Sequence, residues 1–156
     1  MAVAPPRRRR SDTRPPQPAP FAPTPPAVGA PDPAAVQRSI EGALETARRL
    51  RRPLTLVALH VPGEGPSAER VLLRTAELAR RTVRETDGVW RDGPLTLVVL
   101  LADADGPTAE PALARIRLRL RREGVRGVEM GRAAPAPGIS AADLMSLAHS
   151  DCRSVS

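Results

Sequence analysis

The sequence predicts an α/β (α+β) fold in which helices flank a central mixed sheet. Apolar residues recur at helical spacing in four segments, and short runs rich in Val and Leu lie between them. Read in order, the segments give helix, strand, helix, two strands, helix, strand and helix. Such an order is typical of one sheet with helices packed against it.

The first 31 residues differ in composition from the rest of the chain. They are rich in proline, which fixes φ and removes backbone hydrogen-bond donors, and they contain few large apolar side chains. We therefore expect a disordered Pro/Arg-rich tail over residues 1–31 and one folded domain over residues 32–156. The four consecutive arginines at 7–10 could contact an acidic partner, lipid headgroups or nucleic acid, although a soluble spacer with incidental charge is the simpler interpretation.

The first half of the domain contains two helix signals with a strand between them. Asp32 is an N-cap residue followed by proline at the first helical position, and the helix is expected to run to about Arg51. Residues 54–61 form a Val- and Leu-rich strand, and residues 62–66 form a short loop. Ser67 is expected to cap the second helix.

A hairpin and a third helix are predicted next. Residues 88–91 and 95–102 are strands, and the Asp-Gly-Pro sequence between them is typical of a turn. The helix is expected to start at Thr108. Strict alternation over residues 115–121 locally favours a strand, but the longer apolar periodicity favours a helix.

The last part of the domain adds one strand and one helix. The strand is expected over residues 125–130. Ser140, with Asp143 three residues later, resembles a capping box for the final helix. The complete order therefore leaves a single sheet with four helices packed on it.

Composition excludes several classes of protein. All 24 basic residues are arginine, which is typical of GC-rich bacterial genomes, and the net charge of +7 alone is weak support for nucleic-acid binding. The single cysteine, Cys152, allows no internal disulfide, and no apolar run approaches the roughly 20 residues of a membrane span. We expect a cytoplasmic protein without a membrane span and without a specific nucleic-acid partner.

Three segments carry a resemblance to a known family. RPLTLVAL at residues 52–59 resembles the first core strand of GGDEF diguanylate cyclase domains, which commonly reads RPLSLLLLDID. RETDGVWRDGPLTLVVLL at residues 84–101 is similar, without a gap, to the family stretch RESDVVARYGGDEFAVLL, and ARIR at residues 114–117 resembles a helical segment of the family. The resemblance covers about residues 36–151 and implies the GGDEF, or nucleotidyl cyclase-like, fold.

The resemblance also implies that essential parts of the cyclase site are missing. In the family, carboxylates at the end of the first strand and in the hairpin hold divalent metal against the GTP triphosphate. Here the strand position carries His60, and the short loop at residues 62–66 replaces a nucleotide-recognition segment. The degenerate signature consists of Gly93, Pro94, Leu95, Thr96 and Leu97. We therefore expect no catalytic residue, no metal site, no cofactor and no enzymatic activity.

One ligand-binding motif of the family is retained. Arg84-x-x-Asp87 stands where the family has its allosteric RxxD site, and Arg115 falls where it often supplies a second arginine. An arginine can donate two hydrogen bonds to O6 and N7 of guanine, and an aspartate can accept hydrogen bonds from the amino and imino groups of the same base. These three residues are the expected cyclic di-GMP site. The alternative is that arginine is simply abundant and that Asp87 only ends a helix.

Two functions are compatible with these residues. The first is a catalytically inactive GGDEF-like signalling receptor for cyclic di-GMP. The second is a ligand-independent interaction or dimerisation domain, bound to a protein partner or to a second copy of the chain.

Overall fold

A computed structural model describes residues 29–154 of the chain. The helices are α1 (Pro33–Leu50), α2 (Gly65–Thr82), α3 (Gly106–Arg122) and α4 (Ala141–Ser150), and the strands are β1 (Leu54–His60), β2 (Gly88–Gly93), β3 (Thr96–Ala102), β4 (Glu129–Ala133) and β5 (Arg153–Ser154). The predicted order of elements is confirmed, and the short β5 follows it. The part of the predicted tail over residues 1–28 lies outside the described residues.

The sheet has the strand order β2-β3-β1-β4-β5, and every neighbouring pair is antiparallel. The prediction of a mixed sheet is therefore wrong. The helix α2 connects β1 to β2. Two strands joined by such a helical crossover pair in parallel when they are neighbours in the sheet. Here β3 lies between them and runs antiparallel to both, as in a split βαβ unit.

Two apolar clusters cover the two faces of the sheet. On one face Val57, Leu59 and Leu97 pack beneath α2 and α3, and on the other Leu56 and Ala58 pack beneath α1 and α4. Because both faces are covered, β1 and β3 read as continuous apolar runs instead of alternating. Among the described residues, no helix is both long enough and apolar enough to cross a membrane.

Capping residues fix the starts of α1 and α4 as predicted. The Asp32 carboxylate accepts a hydrogen bond from the backbone N–H of Ala35 at 3.0 Å. The Ser140 hydroxyl accepts one from the backbone N–H of Asp143 at 3.1 Å. Each bond satisfies one of the donors that the first turn of a helix leaves unpaired.

The other two helices begin earlier than predicted. Ser67 lies inside the first turn of α2, because the helix starts at Gly65. Thr108 lies inside the first turn of α3, where it shares a capping box with Asp105. Each helix has a proline in its first two positions, where the fixed φ suits the first turn. The helical assignment of residues 115–121 is confirmed.

The strand β4 lies further along the chain than the predicted strand over residues 125–130. The backbone N–H of Val125 bonds to the Leu120 carbonyl at 2.9 Å, so this residue still takes part in the turn that ends α3. Gly127 has φ +77°, which interrupts an extended strand. Pairing with β1 begins only at Glu129.

The residues before α1 lie against the edge strand β2. The backbone N–H of Asp32 bonds to the Arg91 carbonyl at 3.3 Å, and the Arg91 guanidinium donates to the Gly29 carbonyl at 3.2 Å. Two contacts therefore join the start of the domain to the hairpin.

Candidate functional site

The tip of the β2–β3 hairpin, which contains the signature segment, is held by Arg91. Its guanidinium donates to the carbonyls of Gly93 at 3.2 Å and Pro94 at 2.7 Å. The same group forms two bonds of 2.7 Å to the two carboxylate oxygens of Glu69 on α2. Because the Arg91 side chain is only 9% exposed, this bidentate pair fixes the hairpin tip to α2.

The signature segment continues from this tip into β3. Leu97 is buried, and Leu95 packs against the core beneath α2 and α3. The Leu95 carbonyl accepts a hydrogen bond from the backbone N–H of Val61 at 2.9 Å, and Thr96 lies opposite His60 in the sheet. None of these signature side chains is a carboxylate, so residues 93–97 supply no acidic ligand.

His60, at the end of β1, is paired with a carboxylate on the neighbouring strand. Its Nδ1 lies 3.2 Å from Oε2 of Glu129 on β4, and both side chains are partly exposed. The position that carries a carboxylate in the resembled family therefore holds a His–Glu pair across two strands.

A second His–carboxylate pair links the hairpin to α4. Nε2 of His149 lies 2.6 Å from Oδ2 of Asp92, whose side chain is 6% exposed. Burial raises the pKa of Asp92, but hydrogen bonds from His149 and Thr96 and the charge of His149 lower it by more. The pKa of Asp92 therefore lies below its ordinary value, and the carboxylate stabilises the docking of α4 against the hairpin.

Cys152 follows α4 and is not a candidate nucleophile. Burial, followed by the charges of Glu129, Asp151 and Asp92, raises the pKa of its thiol to about 11. The thiol is therefore protonated at neutral pH, whereas the thiolate is the reactive form. Within residues 29–154, no three His, Cys, Asp or Glu side chains are grouped to hold a metal ion.

The Asp92–His149 pair gives a prediction for acid stability. The pKa of Asp92 is lower in the folded protein than in the unfolded chain, so the ionised carboxylate stabilises the fold. This stabilisation is complete at pH values above the ordinary carboxyl pKa, and it is lost as the pH falls through the pKa that Asp92 has in the folded protein. We expect the stability difference between the wild type and Asp92→Asn to be at its full size by about pH 5 and to shrink below about pH 4. Urea unfolding at several pH values measures it.

The exposed carboxylate of Glu45 on α1 provides the control, because Glu45→Gln removes a charge without a buried partner. Its stability difference should stay small over the same pH range. A difference for Asp92→Asn that is independent of pH would contradict the assigned pair.

Arg84 and Asp87 form a compact unit with the end of β3, which we call the Arg84–Asp87 clasp. The Asp87 carboxylate accepts from the backbone N–H groups of Arg84 and Ala102, both at 2.9 Å. The Arg84 guanidinium donates to the Ala102 carbonyl and lies 3.5 Å from Oδ2 of Asp87. The clasp therefore closes the turn between α2 and β2 and ties it to β3.

The two side chains of the clasp differ strongly in exposure. The Asp87 side chain is 3% exposed and both of its oxygens are used, whereas the Arg84 side chain is 58% exposed. Arg115 is exposed on α3, next to the buried Ile116. In the described part of the chain, no hydrogen bond or ion pair joins Arg115 to the clasp. Two of the three predicted ligand residues are thus brought together.

The sequence itself matches no family model and none of the curated proteins compared with it. Solved structures do match. A DGC protein from Thermotoga maritima superposes with a TM-score of 0.66 and 16% identity, over 81% of this chain and 98% of that one. The GGDEF domain of DgcB from Caulobacter crescentus, solved in complex with c-di-GMP, gives 0.65 and 16%, over 76% and 78%.

A third match is the diguanylate cyclase SiaD from Pseudomonas aeruginosa, solved in complex with its activator SiaC. Its TM-score is 0.68 with 20% identity, over 80% of this chain and 54% of that one. The chain has the GGDEF domain fold. The fold implied by the sequence resemblance is therefore confirmed.

Within this GGDEF fold, sequence analysis missed three pairs of side chains around the hairpin. They are Glu69–Arg91, His60–Glu129 and Asp92–His149. The partners lie 22 to 69 residues apart, so no local motif could connect them. The available signal was weak: each pair contains an ionisable residue at the end of a predicted strand or directly after it.

Proposed function

We propose that this GGDEF-fold domain is a catalytically inactive receptor that binds cyclic di-GMP through Arg84 and Arg115. The observation that carries the proposal is the clasp, which presents a largely exposed guanidinium from a fixed backbone. A preorganised arginine loses little conformational freedom on binding. DgcB was solved in complex with c-di-GMP in two of the superposed structures, one of its GGDEF domain and one of its coiled coil with the GGDEF domain.

The absence of cyclase activity is supported by the side chains at the hairpin. Magnesium prefers several oxygen ligands in an octahedral arrangement. The signature positions carry Leu95 and Thr96, and the nearby carboxylates of Glu129 and Asp92 each pair with a histidine. These residues do not fit a magnesium–triphosphate site.

In this proposal Asp87 has a different role from the one that the sequence suggested. Asp87 already accepts two backbone hydrogen bonds and is buried, so in this proposal it positions Arg84 and does not read guanine itself. Arg84 would donate to the O6 and N7 edge of a guanine. Arg115 would stack on a purine or neutralise a phosphate.

Calorimetric titration with cyclic di-GMP tests this proposal. We expect saturable binding to the wild type and affinities about tenfold or more lower for Arg84→Ala and for Arg115→Ala, because a well-placed arginine contact contributes roughly 1–3 kcal/mol. Arg38→Ala, which removes an exposed arginine from α1, should bind like the wild type. No heat at micromolar concentrations, or an unchanged affinity of Arg84→Ala, would refute the proposal.

A ligand-independent interaction domain is the second candidate. It is favoured by exposed leucines on two adjacent helices, Leu73 on α2 and Leu118 on α3, and a superposed structure, that of SiaD, contains a protein activator. Sedimentation of the purified chain with and without cyclic di-GMP separates the two candidates, since only this one gives a complex that is independent of the nucleotide.

A further inference from the structure

A cavity of about 440 Å³ opens where α1 ends and β1 begins. Its floor consists of apolar residues, namely Pro53 and the nearly buried Leu44, Ala47 and Leu54. The Ala-Pro-Ala-Pro loop at residues 134–137, between β4 and α4, forms another part of the wall. Its volume lies within the range of small-molecule sites, roughly 300–1,000 Å³.

Three arginines from one short stretch line this cavity: Arg48, Arg51 and Arg52. The Arg48 guanidinium donates a hydrogen bond to the Ile139 carbonyl, which holds this side chain against the segment before α4. Arg52 lies 3.6 Å from Asp103, and both side chains are largely exposed, which makes the pair weak. Within residues 29–154, the Arg51 side chain has neither a hydrogen bond nor an ion pair.

The acidic residue in the lining does not balance these charges. The Asp105 carboxylate accepts from the backbone N–H of Thr108 at 2.9 Å and from its hydroxyl at 2.6 Å, as the cap of α3. These bonds lower the pKa of Asp105 and keep the carboxylate turned to the helix. The cavity therefore combines an apolar floor with a basic rim.

We propose that this cavity binds a small amphiphilic anion. The apolar body lies against this floor and the loop at residues 134–137, and the anionic head contacts Arg51 and Arg52. The tail of this chain is a poor occupant, because residues 1–28 carry five arginines and one aspartate and would meet a basic rim. The site goes beyond the proposed receptor function, because it shares no residue with Arg84, Asp87 or Arg115.

Titration of the full chain with decanoate, below the concentration at which it forms micelles, tests the site. We expect saturable binding with one molecule per chain, and about tenfold weaker binding of decanol, which keeps the apolar body but lacks the charge. The double variant Arg51→Gln/Arg52→Gln should bring decanoate down to the affinity of decanol. Arg49→Gln, which changes an arginine of the same stretch outside the cavity, should leave binding unchanged.

A second variant fills the cavity without altering its charge. Ala136→Trp places a large side chain in the loop wall and should abolish binding of both probes. Equal affinities for decanoate and decanol would contradict the role of the arginines in binding the anionic head. Undiminished binding to Ala136→Trp would contradict the placement of the ligand in this cavity. Absence of decanoate binding to the wild type would overturn the whole proposal. Thermal unfolding of each variant confirms that it is folded.

Discussion

Gly131→Ala is expected to lower the free energy of unfolding by about 3 kcal/mol, through overpacking. Gly131 lies on β4 beneath the last turn of α4. A Cβ atom there would lie 2.3 Å from the Ala148 carbonyl oxygen and 2.4 Å from the Cys152 backbone nitrogen. Both neighbours are backbone atoms, so the end of α4 must move away from the sheet. Urea unfolding of the two proteins measures the effect.

A matched substitution on α1 provides the control. Gly42 lies on the exposed face of that helix, and a Cβ there would meet no atom within 4 Å. Gly42→Ala should therefore stabilise the protein by about 0.5–1 kcal/mol, since alanine favours a helix over glycine. Equal stability of Gly131→Ala and the wild type would show that α4 does not approach β4 this closely.

Asp87→Ala is expected to cost about 3 kcal/mol of folding stability. The substitution removes a buried charged acceptor and leaves the backbone N–H groups of Arg84 and Ala102 without a partner. A hydrogen bond to a charged group contributes roughly 1.5–3 kcal/mol, and the Ala102 N–H, unlike the exposed Arg84 N–H, is partly shielded from water. Asp87→Asn, which keeps one side-chain oxygen as an acceptor, should lose less folding stability. Thermal and urea unfolding of both variants measure these losses.

Glu85→Ala tests whether any acidic residue in this turn has the same effect. Glu85 is exposed between Arg84 and Asp87, so its removal should change stability by no more than about 0.5 kcal/mol. If Asp87→Ala were as mild as Glu85→Ala, the clasp would not join α2 to the end of β3. The proposed presentation of Arg84 would then lose its physical basis.

Local signals in the sequence predicted much of the fold. Asp32 and Ser140 are capping residues, and their effect depends on only the next few residues. The helix over residues 115–121 was predicted because periodicity over a long window outweighs a short alternating run. The start of β4 was missed, because it is set by pairing with β1 and by the left-handed Gly127.

The arrangement of the strands could not be read from local patterns. A βαβ order allows the two strands to be neighbours or to be separated by a third strand, and here β3 separates them. The same limit applies to the candidate site. The sequence indicated Arg84 and Asp87, but the use of both Asp87 oxygens depends partly on Ala102, 15 residues away.

We propose that the hairpin of this GGDEF fold does not support the joining of two GTP molecules. The most direct measurement is incubation of the purified chain with GTP and magnesium, with product analysis by chromatography and an active GGDEF diguanylate cyclase as the positive control. We expect no cyclic di-GMP above the protein-free background. Formation of cyclic di-GMP that scales with the concentration of this protein would contradict it.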